Sequence, residues 1–250
     1  MRYGWRARIG HIAPAILDTS AEEFRKLLPE GVLHVGLTIS EPIQTLGAEQ
    51  AAAAFDRMVD AGRRLAQEKV DVLICGGGPV ALSKGSGGDA ELGAMLRQAT
   101  SLPVLTANGA VLHALRLFAV RSVLVVSPFI EARNQEIKEL LESSGFRVPA
   151  TRGLGLVKNI DFAMQSSAAA YDLGRRLAGE NPAADAIYIA CPRWPTVEII
   201  EPLEADTGKL VISAAAAMVW GALSALKIRD CRPGYGRLME SLRAGAQDNG

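Results

Sequence analysis

Two stretches, QEKVDVLICGGG at residues 67–78 and NPAADAIYIACPR at residues 181–193, decide how this sequence folds. Each carries an aspartate, then a short unbroken apolar run, then an abrupt stop at glycine or at Cys191-Pro192. A short apolar run without polar alternation is the signature of a parallel strand buried on both faces. Each stretch follows an Ala/Arg-rich helical segment and leads through another helix to a further short strand, PVLTA at 103–107 or KLVIS at 209–213. Laying one half on the other puts Asp71 on Asp185 and Gly77 on Cys191. The chain reads as two related α/β halves.

The same alternation extends outward. RIGHIA (8–13), VLHVGLTI (32–39), VDVLIC (70–75), SVLVVSP (122–128) and AIYIAC (186–191) read as strands. SAEEFRKLL, AEQAAAAFDRMVDAGRRLAQE, DAELGAMLRQAT, AVLHALRLF, IEARNQEIKELLESS, SSAAAYDLGRRLAG, TVEIIEPLEADTG and AAAAMVWGALSAL read as helices. The expected fold is α/β, with two pseudo-symmetric halves, each a parallel sheet flanked by helices, and the site in the cleft between them. Residues 1–110 are assigned to the first half, completed by 214–230, and residues 111–213 to the second. The tail 231–250 is expected to pack on a partner subunit or to be disordered.

Lys+Arg and Asp+Glu are equal at 27 each, which leaves no electrostatic case for nucleic acid or a membrane surface. The longest apolar run, residues 211–226, falls short of the roughly 18 residues of a membrane span, and no apolar signal core precedes the first strand. A cytoplasmic protein is expected. Three widely spaced cysteines, Cys75, Cys191 and Cys231, form neither a disulfide framework nor a zinc pattern. The run CGGGPVALSKGSGG lacks the spacing of a phosphate loop, because Lys84 precedes Gly85. What its glycines supply is backbone N–H groups open to an anion. In open α/β sheets ligands bind beyond the carboxyl ends of the strands, and Gly77 and Cys191 occupy such tips.

Paired α/β halves with a reactive position at corresponding tips resemble the aspartate/glutamate racemase superfamily. Within it the chain resembles the branch of arylmalonate decarboxylase and maleate cis-trans isomerase. The likeness is carried in order by RIGHIAPA, VLHVGLTI, TANGAVLHALRLFAVRSVLVV, SPFIEARNQEIKELLESSGF, RGLGLVKN, AIYIAC and VISAAAAMVWGAL. Racemases and isomerases of this superfamily carry one cysteine at each tip, whereas the decarboxylase has glycine at the first. The resemblance therefore implies Cys191 as proton donor or nucleophile facing Gly77. A shift of two residues in the glycine-rich loop would instead pair it with Cys75. It implies a small carboxylate substrate and no metal or organic cofactor. A homo-oligomer is possible under either arrangement.

Two chemistries fit. In one, a malonate loses CO₂ in an apolar pocket and the resulting enediolate is protonated on one face by Cys191. In the other, a thiolate adds to a cis-dicarboxylate, the single bond rotates, and elimination gives the trans isomer; this isomerisation, or a racemisation in its place, would use Cys191 with Cys75. Either needs a cysteine tuned at a helix N-terminus, and the run after Cys191 is read as starting one. A third reading is a small-carboxylate binding protein without catalysis.

The resemblance also assigns binding residues. Pro14 borders the ligand at the first tip, with Thr38, Ile39 and Ile43 at the same mouth. Gly76, Gly77 and Gly78 offer backbone N–H groups. Hydroxyl residues of the decarboxylase are replaced here by Gly78, Pro79 and Phe129, and a further donor beside the cysteine by Pro192. Arg193 and Trp194, directly after Cys191, and Lys158 and Asn159, in RGLGLVKN, either meet the substrate or serve the surface and core. Asn134 orders a loop beside the site. Ser127 and Ser213 sit at strand tips as polar ligands. His11, His34 and His113 show no metal spacing; His11, near the first tip, either reaches the site or, as the preferred reading, is buried and hydrogen-bonded. Cys231 is incidental.

Overall fold

The computed structural model describes residues 3–14, 18–39, 48–85 and 87–244. Ile43 and residues 245–250 lie outside them. The first sheet contains β1 (Ala7–Ala13), β2 (Val32–Thr38), β3 (Val72–Cys75) and β4 (Val104–Thr106). The second contains β5 (Val123–Phe129), β6 (Thr151–Leu156), β7 (Ala186–Ile189) and β8 (Leu210–Ser213). Their orders are β2-β1-β3-β4 and β6-β5-β7-β8, and every pair is parallel. One topology is thus used twice.

The repeat extends to single residues. Ile9 pairs with Val72 in the first sheet as Val123 pairs with Ala186 in the second. Asp71 accepts a hydrogen bond from Arg8 N–H at 2.7 Å, while Asp185 accepts from Arg121 and Ser122 N–H, both at 2.9 Å. Each aspartate thereby fixes the start of the neighbouring central strand, satisfying backbone donors that a strand end leaves open. The two N–H bonds also hold the Asp185 carboxyl below the usual range.

Helices cover the sheets: α1 (Ser20–Leu27), α2 (Ala48–Gln67), α3 (Gly78–Leu82), α4 (Gly88–Thr100) and α5 (Ala107–Leu117) precede β5. Then come α6 (Glu131–Ser143), α7 (Asn159–Ala163), α8 (Ser167–Glu180), α9 (Ile200–Thr207), α10 (Ala214–Ala225) and α11 (Gly236–Ala244). Helix α10 is buried nearly all round, from Ala214 to Leu223, and packs on α5, α1 and β3. Its alanines let those neighbours approach closely. In the segment read as a tail, α11 buries Leu238, Met239 and Leu242 against α10 of the same chain.

Sequence periodicity misses β6, read only as a site segment, because glycines occupy it. They are required there: a Cβ on Gly153 would lie 2.2 Å from the Phe129 carbonyl and 2.4 Å from Asn134 Nδ2. Helix α3, inside the glycine-rich run read as a loop, carries Pro79 in its first turn, where a missing N–H costs nothing.

Candidate active site

Strand β7 ends at Ile189, and Ala190 extends its pairing through a 2.8 Å bond to Val126 O. At Cys191 the backbone turns into the left-handed region, with φ of 79°, a conformation costing a non-glycine residue roughly 1–2 kcal/mol. The segment Pro192-Arg193-Trp194 then forms a turn closed by Trp194 N–H on Cys191 O at 3.2 Å. No helix starts at the cysteine, contrary to the sequence expectation. A 3₁₀ turn begins at Val197 and α9 only at Ile200, because Pro192 and Pro195 interrupt the run.

The turn does part of what a helix N-terminus would. Burial pushes the Cys191 thiol up to about 11, against the lowering effect of the Arg193 N–H, the Arg193 charge and the Trp194 N–H. At neutral pH Cys191 is a protonated thiol, 7% exposed.

Helix α1 of the first half holds this turn. Thr19 Oγ1 donates to Arg193 O at 2.5 Å. Glu23, 2% exposed, accepts from Thr196 and Val197 N–H at 2.7 and 2.8 Å. Burial raises the Glu23 pKa, and those two N–H groups oppose the rise. Trp194 is fully buried and donates from Nε1 to Ser166 O at 3.0 Å. It anchors the turn in the core and does not line the cavity beside Cys191.

The first-half tip is built alike. Gly76 N–H is taken by Ile12 O at 2.9 Å, so it is not open to a ligand. Gly77 follows in the left-handed region, with φ of 80°. Cys75 does not join the site. It is 1% exposed, its sulfur lies 3.8 Å from Met58 Sδ, and burial raises its pKa strongly. Strand alternation turns it onto the sheet face covered by α2, and the left-handed turn at Gly77 carries the chain away before a cysteine can reach the cleft.

Between the tips lies a cavity with about 50 Å³ of water-accessible volume. Pro14, Gly76, Gly77, Gly78, Phe129, Cys191, Pro192 and Arg193 line it, as the sequence leads one to expect. Phe129 packs edge-on against Phe162 at 5.1 Å to form an apolar wall. Asn134 stays outside: it accepts from Ser127 Oγ, which in turn accepts from Phe129 N–H at 3.0 Å. Both polar groups thus set the Phe129 backbone, and neither lines the cavity. Ser213 caps α10 through Ala216 N–H at 3.1 Å. Lys158 is exposed at the start of α7 with Asn159 beside it, and neither lines the cavity. Thr38 and Ile39 do not line it either.

Sequence reasoning misses four polar cavity residues, Asp18, Ser20, Asn108 and Tyr188, and prefers a buried role for His11, which lines the cavity as well. Tyr188 is the one polar side chain of the buried strand AIYI, and His11 the one in the buried stretch that follows Arg8 in ARIGHIA, which is the available signal. Burial raises the Tyr188 pKa further, followed by the charges of Cys191 and Asp89, so its hydroxyl keeps its proton and can donate. Asp18 sits in an irregular segment and offers no such signal. The Arg193 guanidinium is 4% exposed, and burial lowers its pKa, opposed by Cys191 and Asp18. Among the described residues no group of three or more His, Cys, Asp or Glu is placed to hold a metal ion, and no helix is long and apolar enough to cross a membrane.

The family model for arylmalonate decarboxylase matches residues 23–239. The chain belongs to the arylmalonate decarboxylase family. It is 30% identical over 189 residues to arylmalonate decarboxylase of Bordetella bronchiseptica, covering 75% of this chain and 79% of that one. It is 28% identical to maleate isomerase of Pseudomonas putida, covering 93% of this chain and 96% of the relative. The solved structure of unliganded arylmalonate decarboxylase superposes with a TM-score of 0.83 at 27% identity, over 94% of this chain and 99% of the other. The family has both decarboxylase and isomerase relatives around this fold.

Proposed function

We propose that the protein is a cofactor-independent decarboxylase of small substituted malonates in which Cys191 is the proton donor. The observation that carries the reading is a cavity-lining thiol at one tip with Gly77 at the corresponding position of the other. One substrate carboxylate occupies the apolar part of the cavity. Its C–C bond breaks, CO₂ leaves, and the electron pair passes into an enediolate. The Cys191 S–H then delivers its proton to the carbon, and solvent reprotonates the sulfur.

Desolvation of the departing carboxylate by Phe129, Phe162 and Pro14 favours loss of its charge. Tyr188 and Arg193 supply donors for the enediolate in place of the hydroxyl side chains the relatives place elsewhere. A second reading, cis-trans isomerisation of an unsaturated dicarboxylate, is supported by the extent of the likeness to maleate isomerase. It needs a thiolate, which burial at Cys191 opposes.

The test is direct. Phenylmalonate and maleate are offered separately to the wild type and to Cys191→Ser, with CO₂ release and fumarate formation as readouts. CO₂ release by the wild type alone supports the first reading, and fumarate formation supports the second. Full turnover by Cys191→Ser, or no turnover of any small carboxylate by the wild type, overturns catalysis by this thiol.

A further inference from the structure

The fold does not ask for a histidine at position 11. His11 pairs with Ile74 across β1 and β3, and the equivalent position in the second sheet is Val125, paired with Tyr188. Each half therefore carries one polar side chain at this level, on alternate strands, and both line the cavity. His11 is 1% exposed. Its Nε2 is buried with no hydrogen-bond partner among the described residues, and it lies 3.2 Å from where a Cβ on Gly76 would sit. A buried ring nitrogen without a partner is costly unless a ligand completes it.

The other ring nitrogen is held. His11 Nδ1 lies 3.4 Å from Asp18 Oδ2 and 3.2 Å from His34 Nε2. Nδ1 therefore has its partners within the fold, and Nε2 is the ring nitrogen left for a ligand in the cavity that His11 lines. Asp18 is itself fixed by Ser20, whose N–H donates at 3.1 Å and whose hydroxyl also donates. Burial alone would raise the Asp18 pKa; the hydrogen bond and charge of His11 and the Ser20 bonds bring it below the usual value. The Asp18 carboxylate thus faces Nδ1, the ring nitrogen turned away from the vacant side of the imidazole. The other titratable groups facing His11 are His34 from β2, which burial and His11 hold down near 4, and Cys191, Arg193 and Tyr188 on the cavity wall.

We propose that His11 is the anion-binding group of the first half, directing an Nε2–H to a carboxylate oxygen of the substrate, with Asp18 as its positioning residue. The proposal rests on the small-carboxylate reading of the cavity but not on Cys191 as proton donor. It places a donor to the carboxylate beside Gly76, in the half where Gly78 and Pro79 replace the decarboxylase's hydroxyl residues, and the bond strengthens as that oxygen gains charge in the enediolate.

Malonate is the probe, titrated into protein carrying ¹⁵N-labelled histidine and followed by NMR. The expected result is a protonated Nε2 on His11 whose resonance moves and saturates with malonate. His11→Asn weakens malonate binding about 10- to 100-fold, the scale of a lost charged hydrogen bond. Asp18→Asn also weakens it and alters the malonate-induced movement of the His11 Nε2 resonance, and Asp18→Glu restores part of both.

Cys191→Ser is expected to bind malonate like the wild type while losing turnover, which separates this proposal from the assignment of the proton donor. Malonate binding unchanged in His11→Asn, a His11 Nε2 that stays bare in the malonate complex, or no binding to the wild type overturns the proposal. The NMR measurement on the wild type decides the matter even where a variant fails to fold.

Discussion

Cys191 and Gly77 adopt the same left-handed backbone conformation, with φ of 79° and 80°, at corresponding tips of two sheets that share one topology. The cysteine holds a conformation that glycine adopts freely. The strain is retained where the side chain faces the cavity, a pattern typical of functional positions.

Stability of the Cys191 variants follows from that conformation. Cys191→Gly is expected to be more stable than Cys191→Ala by about 1 kcal/mol, the cost of a Cβ in the left-handed region, although both lack turnover. Urea unfolding of the two variants side by side checks this. Equal midpoints would mean the turn relaxes around alanine.

Cys75→Ala is expected to keep the wild-type rate and to lose roughly 1–2 kcal/mol of stability, since its sulfur packs against Met58 in the core. Turnover and denaturant midpoint are measured together. A rate falling in proportion to that of Cys191→Ser would restore the two-cysteine mechanism.

Glu23 ties α1 to the Cys191 turn through two backbone N–H groups. Glu23→Ala leaves both donors buried and unmet, and the expected loss is about 2–4 kcal/mol, with reduced turnover. Glu23→Gln keeps an acceptor oxygen and is expected to lose less. Because the folded pKa of Glu23 lies above 4.5, its contribution to stability is fully present below the unfolded value and declines as pH rises through the folded one. Glu23→Gln removes that decline, as thermal melts across this range would show.

The pH profile separates donor from nucleophile. A Cys191 thiol pushed up to about 11 stays protonated through neutral pH, so CO₂ release limited by this thiol persists into the alkaline range. It falls only as pH approaches that value. A thiolate mechanism would instead rise with pH over the same interval.

The polar anchors of the second half are Asp185 on β5, Trp194 on Ser166 and Glu23 on the Cys191 turn; only Asp185 is visible as a repeat in the chain. By itself the sequence determined the parallel-strand pattern, the doubling of the halves and the pairing of Cys191 with Gly77. These depend on local apolar runs and on residues at fixed distance from a matching aspartate, and both are written along one strand and its tip. It did not determine β6, because Gly153, forced by the nearby Phe129 carbonyl, and Gly155, with φ of 74°, erase strand periodicity. It could not assign Cys75 and Trp194 to the core, Asn134 to the Phe129 backbone, or Asp18 to His11. Those assignments turn on which way a side chain points and on what distant segment it meets, and only packing the two halves together decides that.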